Sequence, residues 1–153
     1  MVEPDTTSAS CAWVRADRPG SEQTLMTVRL VAAVAVLVSA GVHFKLWLDY
    51  HDLNVVGPAF MVNAVAGVVI AVLLVVWKHW LAPLLAVGFG IATLAAFTIS
   101  TTPNGLFDDH EKWSGGYVWT AAIAEAVAIV AGLYAVAQER RTTAPVRERT
   151  PVG

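Results

Sequence analysis

"PAFMVNAVAGVVIAVLLVVWKHWLAPLLAVGFGIATLAAFTIS", residues 58–100, decides the fold. It holds two apolar runs, Pro58 to Trp77 and Leu81 to Ser100, with only Lys78, His79 and Trp80 between them. The hydrocarbon core of a bilayer is about 30 Å thick and an α-helix rises about 1.5 Å per residue, so about 20 apolar residues span it. Each run meets that length. A link this short predicts an antiparallel helical hairpin.

Two more runs flank the pair. One is "VRLVAAVAVLVSAGVHFKLWL", Val28 to Leu48; the other is "GYVWTAAIAEAVAIVAGLYAVAQ", Gly116 to Gln138. The whole chain of 153 residues is 56% hydrophobic and 14% charged. A soluble domain carries about 25% charged residues, so the deficit favours an integral membrane protein over a soluble bundle of buried helices. The sequence therefore predicts an all-α, four-transmembrane-helix antiparallel bundle over residues 27–138, with spans at 28–48, 58–77, 81–100 and 116–138. Residues 1–26 and 139–153 are polar or charged and proline-bearing, and read as disordered tails. The formal net charge of −2 gives no field for nucleic acid. The single cysteine, Cys11, lies in a polar tail with no apolar run before it, and reads as a free thiol rather than a processing site.

Positive charge near span ends marks the cytoplasmic side. Arg15, Arg18, Arg29, Lys78, Arg140, Arg141, Arg147 and Arg149 fall on the side of the termini and the 78–80 link, against Lys45 and Lys112 on the other. Both termini are predicted to be cytoplasmic, in a multi-pass protein of the plasma membrane. Trp77 and Trp80 then sit at the inner headgroup level. Trp47, Tyr50, Trp113, Tyr117 and Trp119 sit at the outer one, as interfacial anchors.

Glu125 is the one acid inside span four. Helix rise puts it about 13 Å below the outer edge, with His43 and Asn63 each about 8 Å deep on spans one and two. Thr98 and Ser100 end span three at the same level. The inner half offers almost no polar side chain over residues 31–37, 67–76 and 127–137. Ser39, His43, Trp47 and Tyr50 recur at helical spacing and share a face. Ala121, Ala128 and Gly132 form a small-residue stripe around Glu125 that permits close helix contact. An acid facing lipid costs about 3 kcal/mol on insertion scales, so Glu125 points inward. Two roles remain open. His43, Trp47, Asn63 and Glu125 bind a ligand or relay a proton, or Glu125 with His43 or Asn63 is polar glue between helices.

The loops "DYHDL" and "DDHEKW" supply metal-ligand residue types in His51, Asp108, Asp109 and His110, without a defined ligand spacing; a solvated acidic loop is the bland alternative. Only His43 lies inside the membrane, which disfavours a bis-histidine haem. A quinone needs fewer fixed ligands, and a His, Asn and Trp pocket could hold its ring. No Walker loop, dinucleotide glycine pattern, CxxC pair or HExxH helix is present. "GFG", Gly88 to Gly90, reads as a packing or flexing point.

The stretches "HFKLWLDYHDLNVVGPAFMVNAVAG" (His43 to Gly67) and "TPNGLFDDHEKWSGGYVWTAAIAEAVAIV" (Thr102 to Val130) resemble the uncharacterised small four-helix membrane proteins of actinobacteria, loosely similar to DoxX-like proteins. The resemblance covers about residues 28–137, with His in span one, Asn in span two and Glu in span four as the matching positions. It implies the fold and the membrane location; the DoxX-like link implies a redox association.

The expectation is a non-enzymatic accessory or small-ligand-binding subunit with an outward-facing polar pocket of His43, Asn63 and Glu125. The alternatives are a proton-coupled transporter using Glu125 and a quinone-linked redox protein. The expected partners are the lipid bilayer and a homo-oligomer or larger membrane complex, with no nucleic acid and no fixed cofactor.

Overall fold

A computed structural model describes residues 19–52, 55–106, 110 and 112–143. It contains four α-helices: α1 (Pro19–Tyr50), α2 (Val56–Val76), α3 (Leu81–Ser100) and α4 (Gly116–Thr143). No β-strand occurs among the described residues. All four helices are long and apolar enough to cross a membrane. The chain is thus a multi-pass membrane protein.

The span centres fall where the apolar runs place them, but the ends differ. Residues 19–26, assigned to the N-terminal tail, belong to α1, and residues 139–143 continue α4. Pro19 opens α1, where its missing N–H costs nothing and its fixed φ suits the first turn. Thr24 and Thr27 then return their hydroxyls to the carbonyls of Gly20 and Gln23, at 2.7 and 2.9 Å. Polarity here marks a helix leaving the hydrocarbon, not the end of the helix. At 32 residues α1 is about 48 Å long, well beyond the span of the hydrocarbon core. Cys11 lies outside the described residues, as do residues 144–153.

Around the bundle α1 packs on α2 and α4, and α4 on α3; α2 and α3 share the smallest of the four neighbouring contacts. The core is built largely from alanine. Ala32, Ala82, Ala86 and Ala135 are fully buried, with Val36 and Leu74 as the larger fillers. Small side chains bring backbones together, which is how helices associate when lipid is as apolar as the core itself. The outward faces are aliphatic: Val62, Val76 and Val130 are 66%, 68% and 69% exposed. Helices apolar all round, with their larger side chains outside, suit lipid and not water.

Candidate functional site

Two buried polar clusters interrupt this core, one near each end. The first lies towards the Tyr50 end of α1. Ser39 and His43 are one turn apart on α1 and share its inner face. Ser39 is fully buried and its hydroxyl donates to Glu125 Oε1 at 2.9 Å, joining α1 to α4. His43 Nδ1 lies 2.8 Å from the Ser39 carbonyl, which can only accept, so that nitrogen carries the proton and donates. Ser39 Oγ lies 3.3 Å from the same nitrogen. Glu125 is 3% exposed, and the Thr93 hydroxyl of α3 neighbours its carboxyl group. Thr93 itself donates to the carbonyl of Phe89 at 2.9 Å, with Gly90 O at 3.1 Å.

Glycine sets the spacing of these helices. A Cβ on Gly90 of α3 would sit 2.9 Å from the Glu125 carbonyl and 2.8 Å from Ile129 Cγ1. A Cβ on Gly67 of α2 would sit 2.8 Å from Ala40 Cβ, beside Ser39. Both glycines let a neighbouring helix come close enough for the polar groups to meet. The "GFG" stretch is therefore asymmetric: Gly90 is a contact point, while a Cβ on Gly88 would meet open space.

Beside the cluster lies a cavity of about 160 Å³ bounded by all four helices. His43, Asn63, Thr93 and Glu125 reach it, among apolar walls that include Val42, Leu46 and Phe97. Phe60 and Phe89 flank the imidazole, with ring centroids 6.0 and 6.4 Å away. Three of the four sequence candidates thus share one cavity. Asn63 is half-buried, and no hydrogen bond to its carboxamide occurs among the described residues. It is a wall of the cavity rather than a partner of Glu125. Trp47 does not line it. That ring stacks on Phe44 at 5.7 Å and lies 5.9 Å from His51. Four residues turn an α-helix by about 400°, so each step from Ser39 to His43 to Trp47 drifts about 40°, and Leu46 takes the inward position instead.

Ser39 and Thr93 are the partners of Glu125 that sequence reasoning did not single out. Ser39 was visible only as a member of the His43 face. Hydroxyls in an apolar helix commonly bond their own backbone, and nothing in sequence separates the one that bonds a neighbour.

The second cluster is at the other end of α1. Arg29 is 4% exposed. Its Nε donates to the Leu74 carbonyl at 2.8 Å, its Nη2 to the Trp77 carbonyl, and its Nη1 pairs with Glu139. The last carbonyls of a helix have no intrahelical donor. Arg29 of α1 therefore caps α2 and ties it to α4. The residue counted as a positive charge near a span end is a buried three-helix clasp.

His51 is exposed, with Nε2 3.3 Å from Asp52 Oδ1. His110 is exposed, and Asp108 and Asp109 lie outside the described residues. Among the described residues no group of three His, Cys, Asp or Glu side chains could hold a metal ion.

The cavity's chemistry follows from its walls. It has room for a ring-sized group and hydrogen-bonding side chains on all four helices. No protein family, no curated protein and no solved structure matches the chain.

Proposed function

We propose that the protein is a small-ligand-binding or accessory subunit of the plasma membrane, an antiparallel four-helix bundle with both termini cytoplasmic. The cavity beside Ser39, His43, Asn63 and Glu125 is its binding site, opening in the outer half of the membrane. One observation carries this reading. Polar side chains from all four helices converge on a void among helices long and apolar enough to cross a membrane, and polar groups inside a membrane are costly and are functional candidates by default. The contacts of Arg29 with the end of α2 and of Glu139 with Arg29 support the antiparallel order.

Native mass spectrometry from mild detergent tests it. A retained small molecule, lost in Glu125→Gln and Ser39→Ala while both variants stay folded, is the expected result. A chain that is bare in every detergent, and whose variants differ only in stability, overturns the binding role and leaves Glu125 as glue.

A proton-coupled carrier is the second reading, favoured by the hydrogen-bonded run from His43 through Ser39 to Glu125. It needs a polar route to the Arg29 end. The core between the clusters is Ala32, Ala33, Val36, Ile70, Ala71, Ala128 and their apolar neighbours. Proteoliposome flux separates the two readings. A quinone ring suits the cavity by size, and a bound chromophore would mark the redox alternative.

A further inference from the structure

The cavity's free hydrogen-bonding atoms specify the head of its ligand. His43 Nδ1 is spent on the Ser39 carbonyl, so in the neutral ring Nε2 holds a lone pair. No partner of Nε2 occurs among the described residues, and none of their buried polar side-chain atoms is sealed without one; Nε2 therefore borders the void. The Glu125 carboxyl offers acceptor oxygens, and the Asn63 carboxamide both donates and accepts. No cation lines the cavity, since Lys45 is paired with Asp49. A phosphate or carboxylate head would be buried beside Glu125 with no counter-charge, which is heavily disfavoured. The matching head is neutral and donates hydrogen bonds: a hydroxyl. The volume of about 160 Å³ is close to that of a cavity of ~150 Å³ that admits benzene. One ring fits, and any longer part of the molecule lies outside.

The way in is set by the weakest helix contact. The short link holds α2 and α3 together at the Arg29 end, yet theirs is the smallest of the neighbouring contacts. Beside the cavity this seam is edged by Ala59, which is exposed, and Ala96, which is half-buried. No ring contact joins Phe60 of α2 to Phe97 of α3 among the described residues. Phe60 instead faces His43 and Tyr50, and Phe97 meets Trp113 at 4.6 Å. The end of the bundle is covered differently, by Leu106 and by Tyr117 with Lys45 Nζ 6.0 Å from its ring. We infer that the pocket takes a membrane-dissolved amphiphile with a single-ring hydroxyl head, entering sideways through the α2–α3 seam while its tail stays in lipid. This rests on the pocket being a binding site, and adds the ligand class and the route.

Nanodisc-embedded protein is tested with 4-decylphenol supplied in the bilayer, and with phenol and decyl phosphate for comparison. The expected result is saturable binding of 4-decylphenol, one per chain, at least 100-fold tighter than phenol or decyl phosphate. Ala59→Leu and Ala96→Leu each narrow the seam at positions with room for the side chain. They are expected to slow association about tenfold. Trp113→Ala, at the end of the bundle, should leave that rate unchanged. Two seam variants are used so that a folding failure in one, read from its thermal melt, does not decide the matter. Equal binding of phenol or decyl phosphate overturns the ligand class. Seam variants with unchanged rates, or Trp113→Ala speeding uptake, overturn the route. Failure of the pocket reading itself looks different: no probe binds the unaltered protein, and the inference falls with it.

Discussion

The Arg29 and Glu125 clusters are both buried charge in an apolar bundle, yet they differ in what is left over. Arg29 borders an open groove with Lys78, His79 and Glu139, but its donors are directed at two backbone carbonyls and one carboxylate. Around Glu125 the hydrogen bonds are made on one side only: Ser39 holds the carboxyl, while His43 and Asn63 line the cavity. A satisfied cluster holds helices together. A cluster with spare hydrogen-bonding atoms beside a cavity is built to receive something. Burial and charge alone do not separate the two.

The comparison breaks first at Arg29. Arg29→Met leaves Glu139 without its guanidinium and the Leu74 carbonyl of α2 without its side-chain donor, and removing one partner of a buried ion pair costs about 3–5 kcal/mol. Thermal unfolding in detergent should show the largest loss of any single variant here. If it costs under about 1 kcal/mol, the clasp is ornamental. Gly90→Ala comes next. Its Cβ would press on the Glu125 carbonyl and Ile129, and overpacking costs about 1–3 kcal/mol. Ligand retention should fall with it, whereas Gly88→Ala, in open space, should leave both unchanged.

Ser39→Ala sharpens the contrast. It removes one hydrogen bond to a carboxyl group, worth about 1.5–3 kcal/mol when the acceptor is charged and about 1 when it is not. Ligand retention is expected to drop by more than the melt suggests, because Glu125 loses the hydroxyl that holds its carboxyl group at the cavity, while His43 keeps the backbone carbonyl of residue 39. Equal losses in both readouts would make the two clusters alike. Trp47→Phe is the smallest expected effect. Its half-buried ring lies outside the cavity, and phenylalanine keeps an aromatic ring against Phe44, so the change is expected within about 1 kcal/mol. A clear fall in retention there would enlarge the site beyond the cavity walls.

The four helices were legible because the bilayer fixes one length and every run of that length stands out. The inward direction of Glu125 followed from the same cost argument, and three helices do bring His43, Asn63 and Glu125 to one void. What sequence hid was rotation and reach. Helical spacing grouped Trp47 with His43, but the drift per turn carries it off the cavity. The rule that counts positive charge near span ends has no means of seeing that Arg29 folds inward to cap another helix. Residues 19–26 looked like a tail because polarity was read as disorder, although the helix simply outruns the hydrocarbon. Gly90 and Ser39 act through contacts with other helices, so no pattern within their own segments reveals them.

The clasp also orders events during synthesis. Arg29 and Glu139 are 110 residues apart, and a ribosome adding about 5–20 residues per second separates their appearance by roughly 6–20 s. Throughout that interval the first helix carries an arginine whose acid has not been made. Until residue 139 is made, Arg29 can hold the end of α2 only through its two carbonyl contacts, and the carboxylate of α4 completes the clasp last.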